Sequence, residues 1–322
     1  MPKIHALTLK AASVLLALTT AAAAQDYPTR PVRIIVPFPP GGFNDIVARI
    51  VATQLSERLG KQFIVDNRTG AGGVVGTEQV AHAPNDGYTL LIASLAVTIN
   101  PWFHTISYDA EKSFAPVALL ASAPNVISVQ PELPLKSVKD LIAMARERPV
   151  KLQYASAGVG SFMHLGPELF KQMAKVDILH VPFRGAGPAL IDVMGGNTHM
   201  SFGSIPSTIT HLRSGKLRAV GVGSPKRNAL IPEVPTIAES GLPGYEFANW
   251  IGIVAPAGTP PAIVAKLHKE LSAIQDSPEL QKAFANEGAE VVRMSSAEYG
   301  NFIASETAKW GRVVKEAGIK AQ

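Results

Sequence analysis

Short β-rich runs alternate with helix-period apolar patterns along this chain, and the alternation stops and then restarts. Residues 32–36 are a β-branched run closed by Pro37, and Pro39-Pro40-Gly41-Gly42 follows as a loop. Asn44 is placed to cap a helix in which Ile46, Val47, Ile50, Val51, Leu55 and Leu59 recur at helical spacing until Gly60 stops it. Residues 62–65 read as a strand and Gly70-Ala71-Gly72-Gly73 as a bend. A helix at 77–83, a turn at 84–87 and a third strand at 88–93 come next. Strand, helix, strand, helix, strand predicts a parallel sheet with right-handed crossovers.

A second α/β unit starts after Pro124. Strands are expected at 125–129, 153–155, 178–181, 199–203 and 218–222, with helices at 137–148, from Ser161 to about 174, and up to Met194. After Gly244 the pattern changes again: a strand at 250–255, then helices to 274, at 278–287 and at 297–317. The last helices have no new sheet to cover and are expected on the first unit. The chain therefore crosses between units twice, near 122–124 and near 248–250. This predicts an α/β fold of two lobes, lobe 1 being 25–123 plus 250–322 and lobe 2 being 124–249. A cleft between two such lobes is where a ligand belongs.

Residues 1–24 read as an export signal cleaved near Ala24. Lys3, His5 and Lys10 precede a short apolar stretch at 11–18 and the small residues Ala21-Ala22-Ala23-Ala24. That stretch is too short, and too broken by Ser13, Thr19 and Thr20, to span a bilayer. The expected location is the periplasm. Loss of Lys3 and Lys10, with no acid, lowers the formal charge from +5 to +3. The remaining Lys and Arg are scattered, without a basic run, so nucleic acid is not an expected partner. The absence of Cys removes disulfides, thiolate metal sites and Cys nucleophiles.

Two strand-to-helix loops, one in each unit, are the candidate ligand clasp. The first contains Pro39, Pro40, Gly41, Gly42, Phe43, Asn44 and Asp45; the second contains Ser156, Gly158, Val159, Gly160 and Ser161, with His164 one turn into its helix. Each follows the carboxyl end of a strand and opens a helix, where open α/β sheets bind ligands. Glycines admit close backbone approach, and the free N–H groups of a helix start favour an anion. Two such loops facing each other suit a ligand with a carboxylate at each end. Alternatively the glycines only make tight turns, Ser161 only caps its helix and His164 is structural. Asp45 would repel a carboxylate; it is open to receiving a ligand ammonium or to holding the loop in shape.

Enzyme and nucleotide signatures are missing. There is no phosphate loop and no Gly-x-Ser-x-Gly elbow, and Val75 stands where a dinucleotide fingerprint needs its third glycine. The His residues lack metal-ligand spacing, so neither metal nor cofactor is expected. Trp250, at the second crossing, reads as hinge packing.

The chain resembles the Bug family, the solute-binding receptors of tripartite tricarboxylate transporters. The likeness is carried by residues 27–42 (Tyr27-Pro28-Thr29-Arg30-Pro31 through Gly41-Gly42), Asp45, Val65-Asp66-Asn67-Arg68 and Pro84-Asn85-Asp86-Gly87-Tyr88. It continues through Tyr154-Ala155-Ser156-Ala157-Gly158, Gly160-Ser161, His164-Leu165, Val181-Pro182-Phe183-Arg184-Gly185 and Ala255-Pro256-Ala257-Gly258. The resemblance implies a two-lobed periplasmic binding protein of the Venus-flytrap type, not an enzyme. It also implies a small carboxylate ligand, and the membrane subunits of such a transporter as partners. The two loops carry over as the clasp, with Ser94, Arg184, Gly185, Gly203 and Ser204 bordering the cleft. Phe43 and Phe162 stand where the family has small residues, which predicts an apolar wall and a hydrophobic or aromatic acid in place of citrate. Two rival readings remain open: a sensor presenting its ligand to a signalling receptor, and an enzyme. A monomer is expected.

Overall fold

The computed structural model describes residues 27–147 and 152–319. The export segment read at 1–24, and the end of the helix read to Arg148, lie outside these residues.

β1 (Val32–Val36) is the middle of a parallel trio, flanked by β2 (Phe63–Asn67) and β3 (Thr89–Ser94). Four of its five side chains are buried, as a parallel strand covered on both faces requires. After it, α1 (Phe43–Leu59) ends at Gly60, whose φ of 68° lies in the left-handed region and whose N–H bonds back to the Ser56 carbonyl. α2 (Val74–Ala81) and the short α3 (Leu95–Ile99) lead in and out of β3.

The sequence reading starts a new unit after Pro124, but the chain runs on as the sixteen-residue strand β4 (Phe114–Val129). Its first part, to Pro124, pairs antiparallel with β9 (Ala248–Pro256); residues 125–129 pair with β7 (Met200–Ser204) and β8 (Arg218–Val222). Pro116 is tolerated because the ladder shifts register beside it, between Pro116 and Ala118. β9 also pairs antiparallel with β3, so the expected parallel sheet is mixed. In the second lobe β5 (Gln153–Ser156) lies parallel to β6 (Leu179–Pro182) and β7. Its helices are α4 (Val138–Glu147), α5 (Phe162–Ala174), α6 (Ala186–Met194) and α7 (Ile205–Arg213). The strand order is β2-β1-β3-β9-β4-β7-β5-β6, with β8 and the short β10 (Glu290–Val291) also on β4. The fold is α/β and two-lobed, and β4 and β9 run from one lobe to the other, hydrogen-bonded to each other.

α8 (Pro261–Gln275) and α9 (Pro278–Asn286) pack on the first lobe, as expected. α10 (Ser296–Glu316), opened by a Ser295–Glu298 capping box, does more. Its Tyr299 and Phe302 meet the Trp250 ring at 6.0 and 5.6 Å, and its Trp310 meets Phe247 at 5.1 Å. Phe247 in turn stacks at 4.3 Å on Phe162, the first residue of α5. The closing helix therefore touches both lobes, because a run of large aromatic side chains at the crossing needs cover on each side. Trp250 is buried in this stack, as a hinge-packing residue would be. Burying one such ring contributes roughly 2–3 kcal/mol.

Candidate ligand-binding site

A cavity of about 720 Å³ opens between the lobes. That lies within the ~300–1,000 Å³ of small-molecule sites. Besides the five-residue α3, which follows Ser94, four helices start at it: α1 at Gly42, α5 at Ser161, α6 at Gly185 and α7 at Ser204. None of the four has a side-chain hydrogen bond capping its first turn. Their leading N–H groups and the positive ends of their dipoles are left for an anion. Among the described residues no Lys, Arg, Asp or Glu lines the cavity, and His104 is its one titratable side chain. The wall is largely apolar, with the rings of Phe38, Phe43, Phe103 and Phe162.

Of the first loop, Pro39, Pro40, Gly42, Phe43 and Asn44 line the cavity, whereas Gly41 and Asp45 do not. Asp45 is 2% exposed and serves the loop from behind. Its carboxylate takes hydrogen bonds from Gly41 N–H (2.9 Å), Arg49 (2.9 and 3.0 Å) and Asn67 Nδ2 (2.9 Å). Burial alone would raise this carboxyl, but these donors hold it below its ordinary value. The loop-shaping alternative is therefore the one seen, and a ligand ammonium has no access to it. Phe43 is held edge-on against Phe284 of α9, ring centres 6.1 Å apart.

Of the second loop, Val159, Gly160 and Ser161 line the cavity, and Ser156, Gly158 and His164 stand behind them. The Ser156 hydroxyl is consumed within the fold: Gly158 N–H donates to it (3.0 Å), and it shares a 2.6 Å hydrogen bond with His180 Nε2. The Ser161 hydroxyl donates to the Gly158 carbonyl (2.7 Å). Gly160 has φ 75°, and a Cβ there would sit 3.0 Å from the Phe103 ring of the other lobe, so glycine is required by both conformation and space. His164 Nδ1 accepts the Gly160 N–H at 3.0 Å. Burial and the Lys171 charge push this imidazole from 6.5 down to about 4; His180, stacked on it at 4.0 Å, is likewise lowered to about 4 by burial and by His164.

Ser94 and Ser204 line the cavity, as expected of the cleft border. Gly203 does not; it is buried in β7 against Thr208. Arg184 is exposed and outside the lining, and Gly185 contributes only as the cap before Ala186, which does line it. The sequence reading missed the stretch from Leu95 to His104, which supplies Leu95, Ala96, Ile99, Asn100, Phe103 and His104. The carboxyl-end rule that found the two loops applies equally to β3, and α3 starts where it ends. Gly72, Ser207 and Asn249 carried no signal of their own.

A two-lobed α/β fold that closes helix starts around a ligand-sized cavity is that of a periplasmic solute-binding receptor. The family model described as tripartite tricarboxylate transporter family receptor matches residues 47–319, and the chain belongs to this family, the Bug-type receptors. Protein BugT of Bordetella pertussis (strain Tohama I) is 38% identical over 92% of each chain. An R. palustris structure with adipate has a TM-score of 0.78 and 38% identity, covering 92% of this chain and 100% of that one. MatC from Rhodopseudomonas palustris with bound malate has a TM-score of 0.74 and 33% identity, covering 89% and 100%. The family is one of solute-binding receptors, not enzymes. Among the described residues no helix is long and apolar enough to cross a membrane.

Proposed function

We propose that this chain captures a small carboxylate in the cavity between its lobes and delivers it to the membrane subunits of a tripartite tricarboxylate transporter. The observation that carries this is the convergence of four uncapped helix starts on a cavity without a fixed charge. Such a site neutralises an anion with backbone dipoles and selects by shape. The adipate and malate in the two related structures have a carboxylate at each end, the geometry that two facing clasps would match. Residues 25–123 plus 250–322 would form one jaw, 124–249 the other, after removal of the leader near Ala24.

The clasp residues, on this reading, are loop residues that line the cavity at the two helix starts: Gly42 to Asn44 on one side and Val159 to Ser161 on the other. Phe43, Phe103 and Phe162 favour a ligand with an apolar body, a long dicarboxylate or an aromatic acid, over citrate. A thermal-shift panel of adipate, malate, citrate, benzoate and amino acids tests it, on protein stripped of carried-over ligand. A ligand at 100 times its Kd adds about 2.7 kcal/mol, which raises Tm by a few degrees or more. Adipate or benzoate should shift the protein most, and Phe43→Ala should narrow their advantage over citrate. A shift from no acid would overturn the carboxylate reading, and an unchanged ranking in Phe43→Ala would remove the aromatic-wall argument.

A further inference from the structure

Behind the second clasp loop lies a column of rings outside the cavity lining. His164 on α5 stacks on His180 of β6 (4.0 Å, 12°), and His180 stacks on Tyr154 of β5 (4.9 Å, 15°). The column is tied at its base: Tyr154 Oη donates to Glu168 at 2.6 Å, and Glu168 is paired with Lys171 at 2.9 Å. At its top it meets the loop at two points, His180 Nε2 to the Ser156 hydroxyl and His164 Nδ1 to the Gly160 N–H.

The second contact is chemically unusual. Gly160 lines the cavity, and its N–H is turned away from the ligand space into the ring nitrogen. A nitrogen that accepts cannot carry a proton, so His164 is the tautomer with hydrogen on Nε2. We propose that His164 is a positioning residue for the ligand clasp: clamped by the His180 ring, it fixes the backbone of Val159, Gly160 and Ser161 by accepting the Gly160 N–H, and thereby holds the start of α5 in its ligand-ready geometry. This inference rests on the cavity being the ligand site. An aliphatic side chain at 164 would fill the space without an acceptor. Asparagine would keep one, because its Oδ1 stands where Nδ1 does.

The test uses wild type, His164→Leu and His164→Asn, with two readouts. Amide exchange at Gly160 is measured without ligand, and affinity for adipate is measured by calorimetry. His164→Leu should lose about tenfold in Gly160 protection and a similar factor in adipate affinity, the scale of one lost hydrogen bond. His164→Asn should stay within about threefold of wild type on both. If His164→Leu does not fold, the long-range imidazole nitrogen spectrum of wild type decides: a proton on Nδ1 overturns the proposal, and a proton on Nε2 supports it. Equal losses in the Leu and Asn variants, or unchanged Gly160 protection in Leu, would also overturn it. Failure of wild type to bind adipate would count against the adipate-like ligand of the preceding section, while the exchange comparison would still decide the role of His164.

Discussion

Acid should unfold this protein through its histidine column. The native state holds His164 neutral down to about pH 4, chiefly by burial and then by the Lys171 charge, whereas an unfolded chain protonates it near 6.5. Between those values the unfolded state binds more protons, so stability rises with pH and is lost as pH falls. From pH 7.5 to 4.5 the loss from His164 alone is roughly 2.5 kcal/mol, at about 1.4 kcal/mol per pKa unit. His180 adds a smaller amount, because it is only half-buried and solvent screens it. Protonating both would also stack two cations 4.0 Å apart. The groups facing the pair are Tyr154, Glu168 and Lys171, with Asp177 on the far side of Lys171. Glu168 is bonded to Lys171 and Tyr154, and its charge raises His180 by less than burial lowers it. Carboxylates such as Asp45 and Asp66, held low in the native state, lose stability in acid too, so the histidine share must be isolated by difference. Urea unfolding of wild type and His164→Asn at pH 7.5, 6.0 and 4.5 does so. The wild-type midpoint should fall further than the variant's by on the order of 1 M urea at pH 4.5. Parallel pH profiles for the two proteins would refute the reasoning.

Two further outcomes follow from the packing. Tyr299 Oη is buried in α10 without a partner among the described residues, 2.3 Å from where a Cβ on Gly252 would stand, so Tyr299→Phe should gain about 1 kcal/mol and raise Tm by about 2–4 °C. A lowered Tm by calorimetry would mean the hydroxyl is bonded. Gly160→Ala places a Cβ against Phe103 at a φ of 75°, and should cost about 1–2 kcal/mol and weaken the probe acid in a titration; unchanged Tm and affinity would contradict it.

The strand-and-helix rhythm was readable because strands such as Val32–Val36 are rich in β-branched residues and are followed by loops rich in Gly and Pro. The restart at Pro124 misled, since the strand itself continues there and only its partners change. The antiparallel insertion of β9 was invisible, because period and propensity say nothing of which strands become neighbours. The clasp loops were legible from glycine and strand ends. What the sequence did not show was the division of labour inside them. Asp45, Ser156 and His164 have the chemistry of ligand-contacting groups, yet their partners turn out to be Arg49, His180 and Gly160, contacts that only the folded chain brings together. The family likeness supplied the bordering Ser94 and Ser204. It also carried over Arg184, which solvent exposure keeps out of the cavity.

The two strands that run between the lobes are rungs of one ladder, with Ser122 opposite Trp250, Ala123 opposite Asn249 and Pro124 opposite Ala248. A two-stranded ribbon bends readily out of its plane, but in-plane sliding would break its rungs. On the jaw reading proposed above, this ladder would let the jaws swing like a folded card, with capture and release as forward and reverse travel. A single pair of fluorophores, one on each jaw, would report the whole of that travel.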